Sequence, residues 1–103
     1  MIHVLALITA KPGQRNEVLA EFERIVPITR REDGCIEYGA AVDAAGMTSS
    51  SVARLGPDTY AVVEKWASLE ALAAHSKAPH LVEFRNRTQD LVTSRVVHVL
   101  SPA

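Results

Sequence analysis

The residues of this chain able to do proton chemistry are few, and two stand out. His75 sits in an alanine- and leucine-rich segment with helical spacing. An imidazole titrates near neutral pH, which suits a general base; the plain alternative is a half-buried histidine bonded to a carbonyl. Glu64 lies inside the apolar run Tyr60–Trp66. A carboxylate there needs a partner or a raised pKa, so it is a second candidate base, or else pairs with an arginine at a subunit interface. Trp66, on the same side of that run, has an indole N–H for a substrate oxygen, or fills the core. Tyr38 has a phenol for the same purpose, with cross-strand packing as its ordinary role. Phe22 and Phe84 fall on apolar helical stripes and are candidate aromatic walls of a pocket. His3 and His98, near the two ends of the chain, line either a pocket or a barrel, or are satisfied core histidines. His80 follows Pro79 in a first helical turn, where a cation is disfavoured, so a surface or capping role suits it better.

Other chemistries are poorly served. His75 and His80 are five apart with a proline between them, a spacing that does not put both on one helix face, and no cysteine or carboxylate cluster has ligand spacing. No metal and no other cofactor is expected. Cys35 is the single cysteine. It follows Gly34 and reads as a small buried hydrophobe rather than a nucleophile, in a reducing compartment. There is no glycine-rich phosphate loop or dinucleotide fingerprint. Eleven basic against twelve acidic residues give a net charge of −1, which leaves no electrostatic footprint for nucleic acid. The apolar run Ile2–Ile8 lacks a basic leader and ends at Lys11-Pro12-Gly13, so it reads as a strand rather than a signal segment. No stretch approaches bilayer length, and a cytoplasmic protein that does not engage membranes is expected.

The elements that position these residues follow from periodicity. Ile2–Ala10 reads as a strand apolar on both faces. Residues 14–31 carry Val18, Leu19, Phe22, Ile25, Val26 and Thr29 at helical spacing, with Pro27 predicting a kink or a tightened last stretch and Asp33-Gly34 the end. Cys35–Val42 is a strand weakened by Gly39, and Tyr60–Trp66 a β-branched and aromatic one. Between them Asp43–Asp58 reads as a long hairpin connection, part of which, Ser51–Leu55, is a candidate extension of the hairpin. Ser68 caps a helix whose face carries Leu69, Leu72, Ala73 and Ser76. Pro79 starts a second piece with Leu81, Phe84, Thr88 and Leu91 on one stripe, and Arg95–Leu100 is the last strand.

The order β-α-β-β-α-β predicts one α+β domain over residues 1–103, ferredoxin-like, with a four-stranded antiparallel sheet. Helices can cover only one face of that sheet. In the first strand His3, Leu5, Leu7 and Thr9 oppose Ile2, Val4, Ala6, Ile8 and Ala10, and in the last Val97 and Val99 oppose Val96, His98 and Leu100, so both faces are apolar. Leaving five or six aliphatic side chains in water forgoes roughly 10 kcal/mol at about 1.5–3 kcal/mol each, as much as a small domain's whole stability. A second copy of the same sheet is the economical cover, which predicts a homodimer.

Several segments together resemble a known family. They are Lys11-Pro12-Gly13, Arg31-Glu32-Asp33-Gly34-Cys35-Ile36-Glu37-Tyr38, Glu64-Lys65-Trp66, Ser68-Leu69-Glu70-Ala71-Leu72, and His75 through Pro79-His80. In order and spacing they are similar to the antibiotic biosynthesis monooxygenase family, including its quinol monooxygenase-like members. The resemblance implies a dimeric α/β barrel with a pocket between helices and sheet in each subunit. It also implies oxidation of a quinol or polycyclic phenol by O2 without metal or flavin. It puts His75 where the family usually has histidine, and Trp66 where it has tryptophan. The haem-degrading branch resembles a set of Asn, Trp and His whose matching positions here hold Ala6, His75 and Arg85, so haem degradation is not expected. The connection at Asp43–Asp58 is longer than the family pattern and reads as a tolerated insertion. Two other readings stay open: a small-molecule isomerase using the same pocket, and a non-catalytic dimeric stress-response or binding module.

Overall fold

Alternation along the first strand sets the architecture. The even-numbered residues of β1 (Ile2–Ala10) are buried, from Ile2 and Val4 through Ala6 and Ile8 to Ala10, whereas Leu5 on the opposite face is 37% exposed. The computed structural model describes residues 1–103 and continues as α1 (Arg15–Thr29), β2 (Cys35–Ala41), β3 (Thr59–Trp66), α2 (Leu69–Ser76), α3 (Pro79–Thr88) and β4 (Val92–Leu100). The strands form one sheet in the order β2-β3-β1-β4, every neighbouring pair antiparallel. This is the predicted βαββαβ ferredoxin-like fold, with its second helix broken in two at Pro79. No helix is long and apolar enough to cross a membrane.

All three helices pack on one face. α1 lays Val18, Phe22, Ile25, Val26 and Thr29 against the even-numbered side of β1 and its neighbours Tyr60, Val62, Glu64 and Trp66 of β3. Pro27 has no N–H to give the helix, and the chain leaves α1 through a tightened stretch as predicted. Arg31 N–H bonds Ile28 O at 3.1 Å and Glu32 N–H bonds Thr29 O at 2.9 Å, each reaching back three residues. Gly34 then turns at a positive φ of 81° into β2. Ser68 caps α2 as expected, its hydroxyl accepting from Ala71 N–H at 3.1 Å. Pro79 takes the first position of α3, whose buried stripe is Leu81, Phe84 and Thr88.

Three expectations need correction. The buried face of α2 does not run through Leu69, Ala73 and Ser76, which are exposed; Ala71 and Leu72 are half-buried, and the one fully buried residue is His75. Burying an imidazole is possible there because a carboxylate faces it, as described below. Ser51–Leu55 does not extend the β2–β3 hairpin, which closes between Ala41 and Thr59. Asp43 supplies the acceptors instead, its two carboxylate oxygens each taking a bond of 2.9 Å, one from Leu55 N–H and the other from Gly56 N–H. That knots the connection on itself and satisfies the backbone without a strand partner. β4 begins three residues earlier than predicted, at Val92, where a register shift opposite Ala10 lets it join β1.

β4 has no helix above it, so Val97 (57% exposed) and Val99 (51%) are open on the helix side while Val96 and Leu100 are open on the other. The outer face of the sheet presents Leu5, Leu7, Val63, Val96 and Leu100 in adjoining register.

Gly34 gives a direct check on how α2 is seated. A Cβ there would lie 2.6 Å from Ala71 Cβ, whereas at Gly13, with φ near 78°, it would meet nothing. In chemical denaturation Gly13→Ala is expected to cost about 1 kcal/mol from backbone strain alone, and Gly34→Ala about 2–5 kcal/mol because α2 must also move. Equal losses would place α2 away from the β2 turn.

Candidate active site

The helices and sheet leave a cavity of about 290 Å³ between them, at the lower end of small-molecule sites. Its floor is Val4, Ala6 and Ile8 of β1 with Val62 of β3; Phe22, Leu81 and Phe84 form much of the roof, and it opens along β4. Of the residues picked from sequence, Glu64, His75, Tyr38, Phe22 and Phe84 line it. The register explains the convergence: Glu64 stands opposite Tyr38 on one side and Val4 on the other, all pointing toward the helices.

Two predicted contacts are not made. His3 is on the odd-numbered face of β1, opposite Lys65 and Leu100, and points away from the cavity; His98 shares that face. Strand parity decides this, since a residue one position from the cavity floor must face the other way. Trp66 is fully buried and lies behind the cavity wall rather than in it. Its indole N–H donates to Glu64 Oε1 at 2.8 Å. Trp66 therefore holds Glu64 in place from behind instead of touching a ligand.

His75 is boxed by aromatic rings. The Trp66 ring centroid is 4.7 Å from that of the imidazole, and Tyr38 meets it edge-on at 5.2 Å. Its Nδ1 donates to Glu32 Oε2 at 2.7 Å. An ionised carboxylate can only accept, so this bond fixes the proton on Nδ1 and leaves Nε2 as the acceptor. Nε2 makes no hydrogen bond within the protein.

Glu32 is the residue that sequence reasoning missed. It stands just past the proline-tightened end of α1, a position with no periodicity to mark it. Its same oxygen also accepts from His80 Nε2 at 3.0 Å, and that nitrogen lies 3.1 Å from Thr29 Oγ1. His80 is thus an internal partner, not a surface residue. The spacing argument that kept His75 and His80 apart fails because they belong to different helices, folded toward each other at Pro79. The ligand atoms of Glu32, His75 and His80 lie within 4.8 Å of one another and are the set able to hold a cation. As arranged, one nitrogen of each imidazole lies within hydrogen-bond distance of the same Glu32 oxygen.

Burial pushes the Glu64 carboxyl above its usual range, opposed by the Trp66 hydrogen bond and the neighbouring His75. Burial, with the Glu64 charge adding to it, likewise raises the Tyr38 phenol, and burial raises that of Tyr60. Both stay protonated donors. Cys35 is held as a thiol by burial and by the charges of Glu32 and Glu64, in keeping with its inert reading.

The chain matches the antibiotic biosynthesis monooxygenase family profile over residues 1–87. It is 36% identical over 105 aligned positions to a protein of Escherichia coli strain K12 named "Probable quinol monooxygenase YgiN", covering 99% of this chain and 98% of that one. Among solved structures it resembles Rv0793 from Mycobacterium tuberculosis, with a TM-score of 0.80 and 27% identity over 99% of this chain and 94% of that one. It shares its fold with PA3566 from Pseudomonas aeruginosa, at a TM-score of 0.82 and 22% identity over 99% and 93% of the two chains.

The raised Glu64 pKa has a stability signature. Below the ordinary glutamate value of 4.5 the folded and unfolded states are both protonated, and the fold carries no charge penalty. As pH rises through the folded-state pKa the buried carboxyl must ionise, and stability is lost. Glu64→Gln keeps an acceptor for Trp66 and removes that charge. Relative to wild type its melting temperature is expected to be unchanged near pH 4 and to rise progressively toward pH 8; a difference independent of pH would contradict the buried carboxylate.

Proposed function

Since the chain belongs to the antibiotic biosynthesis monooxygenase family, we propose that it oxidises a quinol or polycyclic phenol with O2, using His75 as the base and no metal or flavin. The observation that carries this reading is the Glu32–His75 pair at the wall of a mostly apolar cavity. Glu32 orients the ring and stabilises the imidazolium that forms when Nε2 takes a phenolic proton. The phenolate, held against Phe22, Phe84 and Tyr38, is then electron-rich enough to reduce O2. A carbon–oxygen bond forms at a ring carbon bearing hydrogen, giving a hydroperoxide. Loss of that hydrogen as a proton and cleavage of the O–O bond leave one oxygen as a carbonyl and release the other as water. Both electron pairs that reduce O2 come from the substrate, so no external reductant is needed. The protonated Tyr38 is a donor for the oxygen that gains charge.

The same His75–Glu64 pair would serve an isomerase, and activity undiminished without oxygen would favour that reading. A non-catalytic binding module is disfavoured by a cavity with aromatic walls and two titratable groups.

The reading includes a homodimer through the outer face of the sheet, in the cytoplasm. The apolar side chains Leu5, Leu7, Val63, Val96 and Leu100 on that face, interspersed with His3, His98 and Lys65, support it.

With reduced naphthoquinones as substrates, oxygen uptake by the metal-free protein is expected to fall about 10²–10⁴-fold in His75→Ala, with a smaller loss of kcat in Glu32→Gln. Uptake that persists in His75→Ala would dismiss the base. For the dimer, Val96→Asp is expected to halve the mass seen by light scattering while retaining the circular dichroism spectrum; a wild type that is monomeric at micromolar concentration would refute it.

A further inference from the structure

Two arginines line the cavity, Arg85 of α3 within electrostatic reach of both Glu64 and Arg95 of β4, and nothing in the proposed chemistry uses them. Neither has a carboxylate partner, although Arg24, Arg54, and Arg87 each do. The single bond made by Arg95 is a long one, 3.5 Å from Nη2 to Thr88 Oγ1. Like charges at one mouth with no counter-ion are unfavourable unless a ligand supplies it. Burial disfavours the charged form of Arg95; the nearby Tyr60 opposes that effect and Arg85 adds to it.

A second observation lies beside them. Tyr60 also lines the cavity and is fully buried, yet its hydroxyl has no hydrogen-bond partner. Buried hydroxyls are normally paired, and one left open at a cavity wall wants an acceptor. Register puts Tyr60 and Arg95 in one row, flanking Ile8 on its two sides. Glu64 and Val99 flank Val4 in the same way. Ile8 and Val4 are four residues apart on β1, so the two rows are separated by about 13 Å at ~3.3 Å per residue. Between them the floor is apolar: Val4, Ala6, Ile8, Val62 and Val97.

We propose that the substrate is an elongated aromatic acid, with its reacting hydroxyl at His75 and an anionic group, carboxylate or phosphate, held by Arg95, Arg85 and the Tyr60 hydroxyl. This deepens the monooxygenase reading by naming the substrate class, and rests on it only for the word substrate. The distance between the rows matches two or three fused rings with polar groups at opposite ends, and a guanidinium pair recognises either oxyanion.

Binding is tested without oxygen, by titrating the intact protein with 6-hydroxy-2-naphthoate, with the phosphate monoester of 2,6-dihydroxynaphthalene, and with 2-naphthol. At low ionic strength the better of the two anions is expected to bind at least about tenfold tighter than 2-naphthol, with the preference shrinking as salt is added. Whichever anion binds tighter identifies the oxyanion. Arg95→Gln and Arg85→Gln are each expected to lose most of that preference, Arg95→Lys to recover part of it, and Tyr60→Phe to lower it a few-fold. Parity of all three ligands in the wild type, or an anion preference intact in the Arg85→Gln/Arg95→Gln double variant, overturns the inference. Oxygen uptake with neutral quinols but no anion preference would overturn this proposal alone. Anion preference without oxygen uptake on any substrate would overturn the monooxygenase reading alone.

Discussion

One carboxylate oxygen joins three elements of this fold. Glu32 Oε2 accepts from His75 on α2 and from His80 on α3, while Glu32 itself hangs from the end of α1. Without it, a buried imidazole on α2 would lack a partner and the junction at Pro79 would have little reason to fold inward. The geometry depends on backbone events on either side of Glu32. The end of α1 tightens after Pro27, at Arg31 and Glu32, and Gly34 permits the turn and the close approach of Ala71. Charge placement and packing are therefore a single constraint here. The pair that orients His75 is the same pair that seats the helices over the sheet.

A second constraint is parity. On each strand, alternate side chains belong to different environments, and every functional assignment on β1, β3 and β4 follows from which parity reaches the helix side. Glu64 and Tyr38 qualify, His3 does not, and Trp66 qualifies but is displaced behind the wall by its own bulk and by its bond to Glu64. The polar groups that the sheet gives the cavity fall into two rows four residues apart on β1, with an apolar strand floor between them. The pocket is thus polarised along the strand direction.

The fold was legible because its signals are local: alternation in β1 and β3, a cap at Ser68, prolines at 27 and 79, and an ordered βαββαβ succession. His75 and Glu64 were legible for a related reason, each being a titratable residue set in an apolar run. Glu32, Tyr60 and Arg95 were not. Glu32 acts through residues 43 and 48 positions away, and no spacing rule links a turn residue to two later helices. Tyr60 read as an ordinary strand aromatic until its hydroxyl proved to be without a partner. The face of α2 does not show in an apolar stripe, because the residue that helix buries is polar. In the connection at Asp43–Asp58 a side chain replaced a strand, which composition does not reveal.

β4 carries a consequence of another kind. It is nine residues long, rich in valine, regular after its first residues, and free of helix cover, and it forms one edge of the sheet. The opposite edge, β2, is shorter and broken by an irregularity between Cys35 and Glu37, a form that discourages pairing with another chain. β4 has no such guard beyond Arg95 and His98. An open edge of this composition is a template for further strands. The strand that keeps the cavity accessible therefore also leaves an unpaired row of backbone donors and acceptors along one edge of the sheet.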